Sequence, residues 1–212
     1  MIETKARFWN KVARKYAADP IADIAGYETT LARVQALLSP TQRVLELGCG
    51  TGTTALRLAA GTARYLGTDV SAEMIAIARE KLAAQPVGPL RFAVADAEAR
   101  PPEAAAYDTV LAFNVLHLVT DLDRALGAML PLLKPGGLLI SKTPCLAEMN
   151  PIVPRLLVPL MRAIGKAPHV LSFDAAHLRS TFERHGLVVD AFERHGSGRK
   201  DIRIFIVARK AV

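Results

Sequence analysis

The residues best suited to chemistry are polar side chains that follow short apolar runs. Glu46 comes just before a glycine-rich turn at residues 48–52, Asp69 closes the next run, and Asp96 and Asn114 follow the third and fourth runs. The carboxyl ends of parallel strands meet at one edge of a sheet, where the ligands of open α/β sheets bind. The sequence therefore predicts that these residues build one ligand site.

The glycine-rich turn indicates which kind of ligand that edge binds. A dinucleotide loop would read G-x-G-x-x-G, with a pyrophosphate resting on a helix N-terminus. Here Gly48, Gly50 and Gly52 alternate, and Thr53 stands where the third glycine belongs. The acidic Glu46 before the turn favours a positively charged ligand. A purely structural turn is the weaker alternative, because acidic residues follow where the same ligand would need them.

The elements that must position these residues alternate between short apolar runs and helical patterns. A helical lead-in covers residues 4–38, with a break at Asp19-Pro20. Short apolar runs separated by helices or loops are typical of a parallel sheet covered on both faces. The predicted strands are 44–47, 65–69, 90–94, 109–113, 138–141, 187–192 and 202–207, and the predicted helices are 53–60, 72–84 with Ser71 as N-cap, 122–133 and 174–185.

The last two apolar runs change the expected topology at the end of the chain. The turn Gly196-Ser197-Gly198 between them predicts an antiparallel hairpin. We therefore expect an α/β fold with a seven-stranded, mostly parallel sheet, an antiparallel last strand and helices on both faces.

The composition limits the classes of protein to which the chain can belong. With 212 residues and 51% hydrophobic content, it can bury the core of one domain. A formal charge of +7 favours anionic partners, but no basic run of the nucleic-acid-binding kind is present. Cys49 and Cys145 match no metal or disulfide spacing, and no segment has the pattern of a signal peptide or a membrane span. We expect a soluble, cytoplasmic protein.

The segment Val44-Leu45-Glu46-Leu47-Gly48-Cys49-Gly50-Thr51-Gly52 resembles the first motif of the class I S-adenosylmethionine-dependent methyltransferases. Further motifs of this family follow in the expected order at Asp69, Asp96, Asn114 and residues 133–139. The resemblance implies a Rossmann-like fold and S-adenosyl-L-methionine as the cofactor. It also implies that the chain forms a single methyltransferase domain with three segments.

In that division, the single domain covers residues 1–212. Residues 1–38 form a helical N-terminal lid, and residues 40–145 form the cofactor-binding core. Residues 146–212 contain a substrate-side helix and the terminal hairpin.

The resemblance further implies roles for individual residues. Asp69 would accept hydrogen bonds from both ribose hydroxyls, Asp96 would receive the adenine amino group, and the Ala97 amide would address the adenine ring. Asn114 would lie at the methionine part of the cofactor, and Glu46 would help to hold the turn and receive the amino end. The other cofactor-binding residues that we predict are Tyr16, Gly48, Cys49, Gly50, Val70 and Met74.

Methyl transfer from a sulfonium needs alignment and exclusion of water more than it needs reactive side chains, and it requires no metal. His117 is the candidate catalytic base, because a histidine can remove a proton near neutral pH. The alternative is that His117 begins a buried helix. His169 and His177 are weaker candidates, and His185 and His195 are expected at the surface.

Other residues have two interpretations. Tyr16 either contacts the cofactor or packs in the core, Trp9 is expected in the core, and Asp108 is expected to be structural because it precedes its strand. Residues 151–167 mix apolar and basic side chains, which suggests an amphipathic lid over an apolar substrate. Peripheral contact with an anionic membrane, packing on the domain and a dimer seam are the alternatives for this stretch.

The sequence resembles small-molecule methyltransferases of the ubiquinone/menaquinone-biosynthesis type, and similar lipid and metabolite methyltransferases. We therefore expect methyl transfer to an O, N or C atom of a small-molecule acceptor, by a monomer or homodimer. A nucleic-acid methyltransferase is the first alternative, although the segment after the fourth strand lacks the Asn/Asp-Pro-Pro-aromatic loop. A non-catalytic cofactor-binding scaffold is the second alternative, and a dehydrogenase is disfavoured by the glycine spacing.

Overall fold

The computed structural model describes a sheet with helices on both of its faces. The described residues are 2–99, 105–150, 152–153, 157–163, 167–198 and 201–212. Among them, the strands are β1 Arg43–Leu47, β2 Arg64–Asp69, β3 Leu90–Val94, β4 Tyr107–Phe113, β5 Leu133–Pro144, β6 Leu187–Arg194 and β7 Arg203–Lys210. The α-helices of the same residues are α1 Ile2–Ala18, α2 Ile24–Gln35, α3 Thr53–Leu58, α4 Ala72–Ala84, α5 Leu122–Met129, α6 Val158–Ala163 and α7 Ala175–Arg184.

The seven strands form one sheet in the order β3-β2-β1-β4-β5-β7-β6. Strands β1 to β5 pair in parallel, whereas β7 runs antiparallel to both β5 and β6. The predicted seven-stranded sheet with a reversed last strand is confirmed. Because β1 and β4 are central neighbours, the loops that follow β1 to β4 meet at the carboxyl edge of the parallel strands.

Alternate residues of the central strands enter two separate apolar clusters. Leu45 and Leu47 of β1 pack in a cluster that includes residues of α5 and α7. Val44, which precedes Leu45 and whose side chain points to the opposite face, packs in a cluster that includes residues of α2, α3 and α4. Successive side chains of a strand point to opposite faces, so the helices cover both sides of the sheet.

Local signals in the sequence explain where several helices begin. Ser71 is the N-cap of α4, and its Oγ accepts a hydrogen bond from the Met74 amide at 3.1 Å. Asp121 and Asp174 cap α5 and α7 in the same way. These caps satisfy amide groups that the first helical turn leaves without partners.

The structure differs from the sequence prediction mainly at the ends of elements. Strand β5 covers Leu133–Pro144 instead of 138–141, because Leu133 already pairs with Tyr107 before the ladder is interrupted and resumes at Leu138. Helix α5 ends at Met129, before Pro131, instead of reaching Leu133. Proline lacks the amide hydrogen that a continuing helix needs.

The amphipathic stretch predicted at residues 151–167 lies partly outside the described residues. Its described part includes the short helix α6 and exposed apolar side chains at Ile152, Leu157 and Leu160. Across the described ranges of the chain, the helices are too short or too polar to span a membrane.

Candidate active site

The polar residues at the strand ends come together around one cavity of about 550 Å³. This volume lies within the range of about 300–1,000 Å³ that is typical of small-molecule sites. The predicted cofactor-binding residues and the main candidate base all line the cavity: Tyr16, Glu46, Gly48, Cys49, Gly50, Asp69, Val70, Met74, Asp96, Ala97, Asn114 and His117. The fold therefore brings together residues that are spread over about a hundred positions of the chain.

The glycine turn has a backbone shape that favours glycine. Gly48, Gly50 and Gly52 have φ values of +67°, +54° and +74°. A Cβ atom at Gly48 would lie 2.7 Å from Val115, and one at Gly52 would lie 2.6 Å from Phe92. For a Cβ atom at Gly50, the nearest neighbour would be the Tyr16 ring at 3.8 Å. Gly50 is therefore the position at which the turn exposes its backbone to the cavity.

Asp69, at the end of β2, fixes the glycine turn. Its Oδ2 accepts a hydrogen bond from the Gly50 amide at 3.0 Å, and its Oδ1 accepts one from the Ser71 amide at 2.9 Å. Burial raises the pKa of Asp69, and these backbone bonds act in the opposite direction. A carboxylate has about four lone-pair directions, so acceptor capacity remains for a ligand.

Glu46 lines the cavity and is only 2% exposed. The sequence suggests that it holds the glycine turn, but its carboxylate instead accepts a hydrogen bond from the Tyr65 hydroxyl at 2.8 Å, and Asp69 bonds the turn. Burial raises the pKa of Glu46 to about 8, against the lowering effect of the Tyr65 bond. The side chain is therefore largely protonated near neutral pH and would ionise beside a cation.

Asp96, after β3, is held by groups from two directions. Its Oδ2 accepts from Lys5 of α1 at 2.8 Å, and its Oδ1 accepts from the Glu98 amide at 3.0 Å. Lys5 also bonds the Glu98 carboxylate, which accepts from the Thr120 amide at 3.0 Å as well. The N-terminal helix is thus fastened to the edge of the cavity by charged groups.

Asn114 ends β4 in a left-handed conformation with φ +52°. Asparagine tolerates this conformation better than most residues. Its amide donates to the Lys142 carbonyl of β5 at 2.7 Å, and the chain then turns so that Val115 and His117 line the cavity. The left-handed residue therefore redirects the chain from the sheet to the cavity wall.

Helix α1 forms one wall of the cavity. Tyr16 is 53% exposed, so it lies at the cavity wall and does not pack in the core. Trp9, which we expected in the core, also lines the cavity, although it packs against the small cluster around Met74 as well. Asn10 accepts a hydrogen bond from the Ser71 hydroxyl at 2.6 Å, which ties the helix to the start of α4.

His117 lies in a turn and not at the start of a helix, since Leu118 donates its amide to Val115 and α5 begins at Leu122. Burial lowers the pKa of His117 to about 4. Its Nδ1 is buried without a hydrogen-bond partner among the described residues. His117 is therefore neutral at physiological pH and can accept a proton, but only as a weak base.

The other histidines are distributed differently. His169 lines the cavity, whereas His177 is exposed and stacks on Phe173 with the ring centroids 6.2 Å apart. His185 contacts an exposed aspartate. The expectation that His195 lies at the surface is wrong: it is 7% exposed and lies 3.1 Å from the Thr30 hydroxyl.

Asp108 has the structural role that its place before β4 predicts. It accepts a hydrogen bond from the Arg43 amide at 2.8 Å and pairs with Lys134 at 2.6 Å. Among the cavity-lining residues that sequence reasoning missed are Lys5 and Glu98, whereas Arg162 belongs to the stretch predicted as a lid over the substrate. Lys5 carries no local motif, and only the tertiary structure brings its segment to the cavity. Glu98 follows Asp96 by two positions, which is only a weak sequence signal that it lines the same cavity.

Residues 44–137 match the family model described as a methyltransferase domain. The highly reducing polyketide synthase PKS2 of Leptosphaeria maculans is 34% identical over 146 residues, which are 61% of this chain and 6% of the synthase. The ubiquinone/menaquinone biosynthesis C-methyltransferase UbiE of Acidiphilium cryptum is 40% identical over 100 residues, which are 46% of this chain and 40% of that enzyme. The alignments thus span less than half the length of either relative.

The fold is also similar to that of solved structures. The S-adenosylmethionine-dependent methyltransferase from Mesorhizobium loti superposes with a TM-score of 0.69 at 21% identity, over 88% of this chain and 98% of that one. Residues 44–137 thus match a methyltransferase domain, and the seven-stranded sheet with its reversed last strand has the same fold as this S-adenosylmethionine-dependent methyltransferase.

Proposed function

We propose that this protein binds S-adenosyl-L-methionine in the cavity and transfers its methyl group to a small-molecule acceptor. The observation that carries the proposal is the Gly50 position, where the backbone is open to the cavity and is fixed by Asp69. A cofactor that lies against this turn would contact the Asp69 carboxylate, whose oxygens are already held in place to accept hydrogen bonds. The matched domain and UbiE are both named for methyl transfer, which supports the same activity.

The carboxylates along the cavity suit the separate parts of this cofactor. Asp69 has acceptor capacity left and would bind the two ribose hydroxyls, and Asp96, which lines the cavity beside Ala97, would accept from the adenine amino group. Glu46 would ionise to receive the amino end, and Asn114 would lie at the methionine part. Tyr16, Cys49, Val70 and Met74 would complete the walls.

When bound, the cofactor supplies an electrophilic methyl group. The protein would contribute by orienting both reactants and by excluding water beneath α1, since alignment accounts for much of the acceleration of a two-reactant step. His117 is the base that we propose for acceptors that lose a proton, because its neutral imidazole lines the cavity. Its low pKa limits this role to acidic acceptor protons.

The acceptor side of the cavity favours a small molecule with an apolar body. The walls at the ends of β4 and β5, and in the segments after them, include Phe113, Val115, Leu118, Pro144 and Pro168. UbiE is named as a C-methyltransferase, and on that basis we propose carbon as the acceptor atom, with oxygen and nitrogen as alternatives. We further propose a cytoplasmic monomer or homodimer that is one domain over residues 1–212, divided into the lid, core and substrate-side segments defined above.

Methyl transfer can be tested with S-adenosylmethionine that carries a tritiated methyl group. The purified protein is incubated with an extract of small molecules or with total RNA, and radioactivity is counted in organic and aqueous phases. We expect label in the small-molecule fraction and loss of that label with Asp69→Ala. Label in RNA alone would favour the nucleic-acid alternative, and cofactor binding without transfer to either fraction would favour the scaffold alternative.

A further inference from the structure

The cavity carries its charge unevenly across the sheet. Glu46, Asp69, Asp96 and Glu98 line it from the ends of β1, β2 and β3. Within the described ranges, the lining residues that follow β4 and β5 include no carboxylate. Because the strand order places β3, β2 and β1 on one side and β4 and β5 on the other, the acidic groups are concentrated on one half of the cavity.

Arg162 supplies the opposite charge on the other half. It lies near the end of α6, in the segment after β5, and it lines the cavity. No carboxylate of the described residues forms an ion pair with it, whereas Lys5 is already paired with Asp96 and Glu98. In the described part of the cavity, Arg162 is thus the cation that remains open to a ligand.

The neighbouring groups define what a ligand of Arg162 looks like. His117 is neutral at physiological pH, and the wall that contains it is otherwise largely apolar. An arginine can pair with a carboxylate or a phosphate through two parallel hydrogen bonds, which gives the contact a fixed direction. The wall would bury an apolar body, and Arg162 would bind an anionic group at its end.

We propose that the methyl acceptor carries an anionic group, a carboxylate or a phosphate, that binds Arg162 while its apolar body lies over β4 and β5. The inference rests on the proposed function, because it assigns the acidic half of the cavity to the cofactor. His169, which follows α6, also lines the cavity and would be a further hydrogen-bond donor for an anionic ligand on this side. The net charge of +7 would favour the approach of such a molecule.

Calorimetric titration with three matched probes tests this subsite. The protein is first saturated with S-adenosylhomocysteine and then titrated with 2-naphthoate, 2-naphthyl phosphate and the neutral 2-naphthalenemethanol. We expect at least one anion to bind at least about tenfold more tightly than the alcohol, since hydrogen bonds between two charged groups are stronger than those to a neutral hydroxyl. Which anion binds more tightly identifies whether the group is a carboxylate or a phosphate.

Two variants assign that preference to one side chain. Arg162→Met should abolish the preference for the anions, because it keeps an apolar side chain of similar length and removes the charge. Arg124→Met is the matched control, since Arg124 is exposed on α5 and does not line the cavity. Equal or absent binding of all three probes, or a preference that survives Arg162→Met, would overturn the anionic subsite.

The same titrations separate this inference from the function on which it rests. If S-adenosylhomocysteine binds and the naphthyl probes show no anion preference, the subsite is wrong and the cofactor assignment stands. If S-adenosylhomocysteine does not bind to the wild-type protein, the proposed function itself is wrong. If Arg162→Met binds S-adenosylhomocysteine with wild-type affinity, this variant is folded.

Discussion

The Lys5 ammonium lies 2.8 Å from Asp96 Oδ2, which joins the N-terminal helix to the loop after β3. It also bonds Glu98, whose side chain is only 3% exposed. Burial alone would lower the pKa of Lys5, but the bonds to Asp96 and Glu98 raise it. The contact therefore stabilises the charged forms of Lys5 and Glu98 next to the proposed adenine site, since it raises the pKa of Lys5 and lowers that of Glu98.

Lys5→Met should weaken both the fold and the cofactor site. It leaves the buried Glu98 carboxylate without its cation, and an unsatisfied buried polar group costs about 1–3 kcal/mol. We expect a loss of this size in the free energy of unfolding and weaker binding of S-adenosylhomocysteine, because Asp96 loses its anchor. Denaturant unfolding and calorimetry measure the two effects.

Lys11→Met is the control for this prediction, since Lys11 is exposed on the same helix and forms no ion pair with the described residues. It should leave both quantities unchanged. Wild-type stability and affinity in Lys5→Met would show that the ion pair is incidental.

Gly50→Ala should separate cofactor binding from folding. Its φ of +54° makes any side chain strained, at a cost of about 1–2 kcal/mol, but the added Cβ atom meets nothing in the fold closer than 3.8 Å. Gly136→Ala is a close match, because Gly136 has φ +73°, has no atom near its Cβ position and does not line the cavity. We expect similar destabilisation of both variants in thermal melts.

The two glycine variants should differ in calorimetry. Gly50→Ala should lose binding of S-adenosylhomocysteine, because its methyl group occupies the space that the cofactor needs, and Gly136→Ala should bind normally. Equal affinities in the two variants would mean that the cofactor does not lie against the turn at Gly50.

Cofactor binding should release a proton from Glu46. The pKa of this buried side chain is raised to about 8, so the group is largely protonated at pH 7, and a neighbouring ammonium would lower the pKa and ionise it. Calorimetry at pH 7 in buffers of different ionisation enthalpy measures the number of protons released. We expect a release that approaches one proton and disappears in Glu46→Gln.

Glu73→Gln is the control for proton release, because Glu73 is exposed on α4 and outside the cavity. It should release the same number of protons as the wild type. A heat of binding that is independent of the buffer in the wild type would remove Glu46 from the amino end of the cofactor.

His117→Ala should reduce turnover and leave the affinity for S-adenosylhomocysteine nearly unchanged. The pKa of His117 is lowered to about 4 by burial, so its neutral form is present from about pH 5 upwards and its activity as a base should fall as the pH drops through 4. Turnover at several pH values, with an acceptor found by tritium labelling, tests this. His177→Ala is the control, because His177 does not line the cavity, and it should behave like the wild type. Full activity of His117→Ala would contradict the role of His117 as a base and leave it only as part of the cavity wall.

The positions of most elements and the ends of the strands could be predicted because their signals are local. Ser71 caps α4 with its own hydroxyl, and Asp69 follows an apolar strand, so both are readable over a few residues. Because the carboxyl ends of parallel strands meet at one edge of the sheet, it could also be predicted that the acidic residues line one cavity.

Contacts between distant segments were not predictable in the same way. Lys5 and Asp96 are 91 positions apart, and no periodicity links them. His195 looks like a surface residue in the turn of a hairpin, but α2 covers it and its ring lies 4.3 Å from that of Phe205. Tertiary packing, which no local pattern encodes, decides both positions.

Calorimetric titration of the purified protein with S-adenosylmethionine, S-adenosylhomocysteine and NAD, under identical conditions, tests the cofactor assignment most directly. We expect the first two to bind and NAD to give no heat of binding, and we expect Asp69→Ala to lose the affinity because the ribose acceptors are gone. Binding of NAD alone, or of none of the three, would contradict the assignment of this cavity to a methyltransferase.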